Sequence, residues 1–559
     1  MAQKITNRWL ALIVLLVGFF MIMLDTTIVN VSIPTIIKDL NANLTQVEWV
    51  ISGYSLAFAA LLITFGRLGD LYGRKKLFML GLVVFTIASA LSGEANTPNI
   101  LIAMRILQGI GGAMLSPAVL SIISSTFRDR DRAIAFGFFG AISGVAAAIG
   151  PVLGGWLTTY QSWRWIFRVN IPIGIIGLIL AYIFITDSKE ESSEKIDFLG
   201  MIFSGLGFFT LIFGLIEGQT YGWWKPASEF VLGSFKWGTD KPISIIIISF
   251  LVSLISLCIF TMVQFNKTRR NASPAVNLDF FRSRAFRYGL IAIAIIALGE
   301  FSTLFTLPIF LQSIRGFSPL QSGYAVLPLA LSSMIAAPLS AFFVNKIGSK
   351  WVITTGICLE ALGLFLLSHI NADTAYRSLI PALICLGFGL GLAIAQNTQV
   401  ILSEINPIHA GSASGVLNTI RQVGTSLGIA VIGAILAHQA AFNIPKQVRA
   451  ADLPGISAPV KEQIATAIGS SSASYTGNQD TSKFVQAPPP AVAQNPVLLK
   501  KFNDQIAITE TALRRAVNVG LASAISRAIF IGSLFMLLGA LCSLLIPNIL
   551  HKKKEDLVG

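Results

Sequence analysis

The chain has 559 residues, 54% of them apolar and only 12% charged, with a mean hydropathy of +0.73. Soluble domains carry about 25% charged residues, so this composition excludes a soluble globular protein and calls for lipid as solvent. The net charge of +14 does not point to nucleic acid, because cytoplasmic loops of membrane proteins gather Lys and Arg.

A membrane span needs about 20 mostly apolar residues. Fourteen stretches qualify: 10–32, 46–65, 77–93, 99–123, 133–157, 169–186, 198–217, 243–264, 286–311, 319–343, 351–370, 378–402, 412–437 and 523–547. The first begins after Lys4 and Arg8 but runs too long for a signal-peptide core and lacks a small-residue cleavage site, so it reads as a retained span. An even number of spans puts both termini on one side. With that side inside, the inner loops and tails hold 22 Lys and Arg and the short outer loops 8. Both termini are therefore expected in the cytoplasm, with the chain in the inner (cytoplasmic) membrane.

Segment 438–522 is the one soluble-looking insertion, and it falls outside. From Gly469 to Pro496 it is rich in Ser, Pro, Gln and Asn and is expected to lack regular structure. The part from Val497 to Gly520 is expected to be helical and to dock on the outer rim. Trp163, Trp165, Trp223, Trp224 and Trp237 fall at outer edges and suit an interfacial belt. Cys258, Cys358, Cys385 and Cys542 are isolated in apolar stretches, which supports neither a disulfide framework nor a metal site.

A faint repeat relates residues 66–75 to 341–350: Asp70 aligns with Asn345, Gly73 with Gly348 and Lys75 with Lys350. Two related halves of six spans with two further spans between them account for fourteen, and such repeats mark transporters. The expected organisation is all-α and polytopic: an N-terminal six-helix bundle over 1–188, a two-helix insertion over 189–266 and a C-terminal six-helix bundle over 267–559.

The loop after the second span reads Gly66-Arg67-Leu68-Gly69-Asp70-Leu71-Tyr72-Gly73-Arg74-Lys75. Its glycines permit a short turn between two helices, and Asp70 can accept from a helix N-terminus. A plain positive-inside loop would explain the basic residues but not that spacing. The segment resembles the signature loop of the major facilitator superfamily. Leu101-x-x-x-Arg105-x-x-Gln108-Gly109 is similar to its fourth-helix motif, and Gly150-Pro151-Val152-Leu153-Gly154-Gly155 to its antiporter motif in the fifth helix. Leu24-Asp25-Thr26-Thr27-Ile28-Val29-Asn30-Val31-Ser32-Ile33-Pro34 resembles the first-helix motif of the fourteen-helix drug:proton antiporters. Trp163-Arg164-Trp165-Ile166-Phe167, Asn170-x-Pro172-x-Gly174 and Asn418-Thr419-x-Arg421-Gln422-x-Gly424 are similar to that family as well. Three departures stand out: Leu71 in place of a basic residue, Arg168 in place of an apolar one, and Ala146 in place of Gly.

The resemblance implies proton-coupled export of small lipophilic or cationic organic compounds by alternating access; an exporter of an endogenous metabolite, lipid or peptide is the alternative. It implies no enzymatic activity and no cofactor or metal. An ATP-driven pump is disfavoured independently, since the chain contains no Gly-Lys pair and hence no phosphate-binding Walker loop. No pattern names a periplasmic or envelope partner.

Ionisable residues inside spans are functional by default, because a charge at membrane depth costs at least ~2.5–3.5 kcal/mol. Asp25 is the expected coupling carboxylate, in apolar surroundings with Thr26, Thr27 and Asn30 supporting it. Glu300 is expected as a second proton or cation site across a central cavity, Arg105 as a neighbour whose positive charge lowers a carboxylate pKa and so sets when the proton leaves, and Arg421 as an even choice between function and structure. Gly66, Asp70, Gly73, Arg74, Gly150, Pro151, Gly154 and Gly155 are the expected gating and conformational positions. Glu360 lacks a motif and is expected in a structural or rim role.

Overall fold

The computed structural model describes residues 8–42, 44–186, 196–232, 234–270, 272–454, 456–471 and 496–548. The tails, Lys189, Lys195 and most of the polar stretch 469–496 lie outside these, as does the side chain of Asn30. Helix dominates, at 85% of the described residues. Among the described residues 14 helices are long and apolar enough to cross a membrane, and they coincide with the fourteen predicted stretches.

The N-terminal bundle comprises α1 (Arg8–Leu40), α2 (Leu44–Tyr72), α3 (Arg74–Gly93), α4 (Pro98–Thr126), α5 (Asp129–Tyr160) and, after a single turn at Trp165–Arg168, α6 (Asn170–Phe184). The additional pair is α7 (Phe198–Tyr221) and α8 (Ile245–Arg269), joined by a two-stranded hairpin, β1 (Phe230–Leu232) with β2 (Phe235–Trp237). That hairpin is a small exception to an all-α reading. It seats Phe230 against Phe213 and Tyr221.

The C-terminal bundle comprises α9 (Arg284–Ile309), α10 (Pro319–Ile347), α11 (Ser349–Leu367), α12 (Tyr376–Ser403), α13 (Ala410–Ala450) and α15 (Pro496–Ser543), with α14 (Ala458–Ser471) outside the apolar zone. Lipid-facing surfaces are recognisable by large exposed apolar side chains, such as Ile175, Ile179 and Tyr182 on α6 and Leu254, Ile255 and Met262 on α8.

The 438–522 insertion is helical over Val497 to Gly520 as expected but differs elsewhere. Helix α13 runs on through it to Ala450, and α15 is one helix from Pro496 into the last span. Their 41 and 48 residues span about 60 and 70 Å, twice the ~30 Å hydrocarbon core. The cause is apolar spacing hidden by a polar composition: Ile444 and Val448 on α13 and Leu513, Ala516 and Val517 on α15 bury together with Leu453, Ile464 and Ile468. The two helices thus build a stalk whose apolar core is continuous with that of the C-terminal bundle.

Trp163 also departs from the belt reading. It is fully buried and donates from Nε1 to Asp39 at 2.8 Å. Arg164 donates to the same carboxylate at 2.5 Å, and the two donors together hold Asp39 below the usual carboxylate range. The pair ties the end of α1 to the α5–α6 connection. Arg168 answers to Glu94 at 2.7 Å on the same rim.

At the other end, Asp197 caps α7 and accepts from Gly200 N (2.9 Å), Gln264 Nε2 (2.8 Å) and Ala275 N (3.1 Å), while pairing with Lys267 (2.9 Å). Burial pushes this carboxyl up, but Lys267, Gln264 and the two N–H donors outweigh it and leave the group below its ordinary value. One side chain therefore fastens α7, α8 and the following connection to each other.

Two seams join the bundles: α5 lies on α10 and α2 lies on α13, with α7 leaning on both α2 and α13. Glycine makes the close approach possible. A Cβ at Gly66 would stand 2.4 Å from Gly411 O, and one at Gly144 would stand 2.8 Å from Ser333 Oγ. The internal repeat is visible in backbone form as well. Gly73 and Gly348 join α2 to α3 and α10 to α11 with φ of 114° and 86°, a region β-carbons disfavour.

Candidate functional site

Asp25 sits on α1 with no exposed surface. Its Oδ1 accepts from Gln108 Nε2 of α4 at 2.9 Å and from Asn170 Nδ2 of α6 at 3.1 Å. Its Oδ2 accepts from Arg105 Nη1 of α4 in an ion pair. Arg105 is buried in turn. It donates from Nε to Val50 O at 3.2 Å and from Nη1 to Gln108 Oε1 at 2.9 Å, and its guanidinium lies 4.4 Å from the Tyr54 ring centroid. Asn170 also reaches Ser89 Oγ of α3 at 3.0 Å. Five helices thus converge on one carboxylate.

This geometry corrects one expectation. The surroundings of Asp25 are polar, built by Arg105, Gln108 and Asn170. Thr26 and Thr27 do not build them, because their hydroxyls donate back to Ile22 O at 2.9 Å and Met23 O at 3.2 Å of the same helix. Arg105 is a carboxylate's neighbour, as expected, and that carboxylate is Asp25. Glu300 of α9 pairs with Arg421 of α13 at 3.2 Å, inside the C-terminal bundle. Asp25–Arg105 and Glu300–Arg421 are thus separate pairs, the first in the N-terminal bundle and the second in the C-terminal one. They differ in access: the first is sealed, while Arg421 and Glu300 are 15% and 17% exposed.

The loop residues form the second part of the site. Asp70 is buried at the end of α2 and accepts from Gly411 N at 2.8 Å and Ser412 N at 2.7 Å, the free N–H groups of the first turn of α13. A carboxylate there satisfies donors that lack helical partners and complements the dipole. Arg74 donates to Asp70 Oδ1 from Nε at 3.1 Å and Nη2 at 2.7 Å, and also to the carbonyls of Pro407 and Ile408. Arg132 of α5 donates to Ser124 Oγ at 2.5 Å and to Leu402 O of α12 at 2.6 Å. Together these bonds close one end of the interface between the bundles. The repeat-related Asn345 is exposed, so the latch exists in one copy.

The glycine motif of α5 divides its work. A Cβ at Gly150 would fall 1.9 Å from Thr27 Oγ1 and one at Gly154 would fall 2.8 Å from Ile28 O, so both set α5 against α1. Gly155 faces Leu320 of α10 across the seam, and Pro151 lies within the helix between them. In the sequence Gln108 and Asn170 stand within motifs that name no role for them, and Arg132 carries no signal beyond its basic charge.

The sequence pattern of the Major Facilitator Superfamily matches residues 15–429. A tetracenomycin C resistance and export protein of Streptomyces glaucescens is 30% identical over 449 residues, covering 80% of this chain and 79% of that one. Multidrug resistance protein 3 of Bacillus subtilis is 31% identical over 423 residues, covering 75% and 78%. The fold is similar to the crystal structure of the human organic anion transporter MFSD10, with a TM-score of 0.55, 13% identity and coverage of 84% of this chain and 97% of that one. Fourteen membrane-crossing helices, the closed loop at Asp70 and a match across most of the length agree: the chain belongs to the major facilitator superfamily of membrane transporters.

Proposed function

We propose that the protein is a proton-driven exporter of lipophilic or cationic organic compounds that works by alternating access. The observation that supports this best is the sealed Asp25 cluster. A carboxylate held by one arginine and two amides from α4 and α6 can exist in two arrangements: charged and paired, or protonated with Arg105 released. Protonation therefore changes what holds α1 to α4 and α6. Glu300 and Arg421, which are partly exposed, are the counterpart in the other bundle, where a cation competes with Arg421 for the carboxylate. The related export and resistance proteins support small organic molecules as cargo.

The moving bodies in this reading are residues 1–188 and 267–559, with 189–266 riding on them. In this reading the bonds of Asp70, Arg74 and Arg132 are the cytoplasmic gate, closed in this state. Everted vesicles energised by respiration and carrying an acridine dye test the coupling. Addition of ethidium should release protons from vesicles with the chain and not from vesicles without it. Ethidium uptake that persists unchanged with a protonophore would overturn it.

Orientation has its own test. Single cysteines replacing Glu462 on the stalk and Arg282 between α8 and α9, both well exposed, are placed in a background lacking the four native ones. An impermeant thiol reagent added to whole cells is expected to label the first and spare the second. The reverse pattern would place both termini outside.

A further inference from the structure

Glu360 lies past the middle of α11 and has no exposed surface. Among the described residues neither of its carboxylate oxygens has a hydrogen-bond partner. That sets it apart from Asp25, Asp70 and Glu300, each of which meets an arginine. The setting is tight: a Cβ at Gly389 of α12 would come within 3.0 Å of Glu360 Cγ, so α12 presses directly on the side chain.

The groups offered by each packed element can be placed. Helix α9 presents Glu300, whose negative charge reaches Glu360. On α12 the neighbouring titratable group is Cys385, about one turn from Gly389. The register of α15 is fixed by Thr354 Oγ1 with Ser543 Oγ at 2.7 Å and by Ser526 Oγ donating to Ser368 O. Arg527 is therefore level with the outer end of α11, about 12 Å of helix rise beyond Glu360, and Cys542 is level with its inner end. Helix α10 carries Tyr324 and Lys346 near its two ends. Among the described residues no cation pairs with Glu360.

An ionised carboxylate in this place would be a bare charge at membrane depth beside a second negative charge, the most costly form it could take. We propose that Glu360 is a proton-binding site of the C-terminal bundle, a carboxylic acid that keeps its proton while Glu300 is ionised against Arg421. Glu300, Glu360 and Arg421 then hold one proton and one ion pair between them. The proton leaves only when α11 and α12 part far enough for water or a cation to reach the carboxylate. The use of this proton in transport rests on the antiport reading above; its presence does not.

Infrared spectroscopy of the full chain in lipid vesicles at neutral pH reads the protonated carboxyl directly. The carbonyl stretch of a carboxylic acid is expected in the parent and in Asp25→Asn, and is expected to disappear in Glu360→Gln. Dicyclohexylcarbodiimide, which modifies protonated carboxyls in apolar surroundings, provides a measurement on the parent alone. The tryptic peptide from Trp351 to Arg377 should carry the adduct on Glu360. A band that survives Glu360→Gln unchanged, or a parent with no adduct on that peptide, overturns the assignment. A parent that shows both signals but moves no protons when ethidium is added leaves Glu360 as assigned and counts against the antiport reading instead.

Discussion

Asp70→Asn is expected to leave the protein folded and inserted while lowering export at least tenfold. The side chain keeps its shape, but one acceptor oxygen becomes an NH2 that must face Arg74 or the Gly411 and Ser412 N–H groups, all of them donors. A hydrogen bond to a charged group contributes about 1.5–3 kcal/mol. Losing one, and leaving the buried Arg74 without its counter-charge, shifts the balance between the closed and open latch by about 3 kcal/mol or more, roughly a hundredfold. Spin labels on the latch ends of α2 and α13 read that shift as a longer distance. Gly73→Val should impair export by another route, since valine at φ of 114° is strained in any state. Normal export from both variants at equal expression would reduce the loop to a topogenic role.

The fold was legible because lipid imposes one rule on every span, and fourteen apolar stretches obey it. What remained hidden was rotation about each helix axis. Side chains facing lipid and side chains facing the bundle are equally apolar, so composition does not say which way a residue points. Asp25, Arg105, Glu300 and Arg421 stand out in the sequence as charges inside spans, and an arginine beside a carboxylate is expected there; the amides of Gln108 and Asn170 around Asp25 and the pairing of Glu300 with Arg421 are not legible. Trp163 read as interfacial because its position is near an edge, whereas its indole N–H is consumed by Asp39 inside the fold. The helix over Val497 to Gly520 is legible, but the extension of α13 beyond its span is not, because its polar composition masks apolar residues at helical spacing. Glu360 was set aside for lack of a motif. Its interest comes from what does not surround it, which sequence cannot express.

Asp25→Asn is expected to uncouple transport from the proton gradient. In the parent, Gln108 and Asn170 donate to one oxygen and Arg105 to the other. The amide can keep two of these bonds, but it carries no charge and takes up no proton. The cluster is then fixed near its protonated arrangement, with Arg105 lacking a counter-ion in a buried site, a loss of about 3–5 kcal/mol for a broken buried pair. Part of that cost falls on stability, so loss of activity alone would not separate coupling from structure. Exchange does separate them. With labelled substrate on one side of a proteoliposome and unlabelled on the other, net proton movement is not required, and Asp25→Asn should still exchange within a fewfold of the parent. Gradient-driven accumulation should fall about a hundredfold or to background. Arg105→Ala, which removes the partner and leaves a buried carboxylate unpaired, should lose both activities. If Asp25→Asn accumulates substrate against a gradient at the parent rate, Asp25 is a packing residue and the coupling proton binds elsewhere. If it loses exchange and accumulation alike, its role is structural.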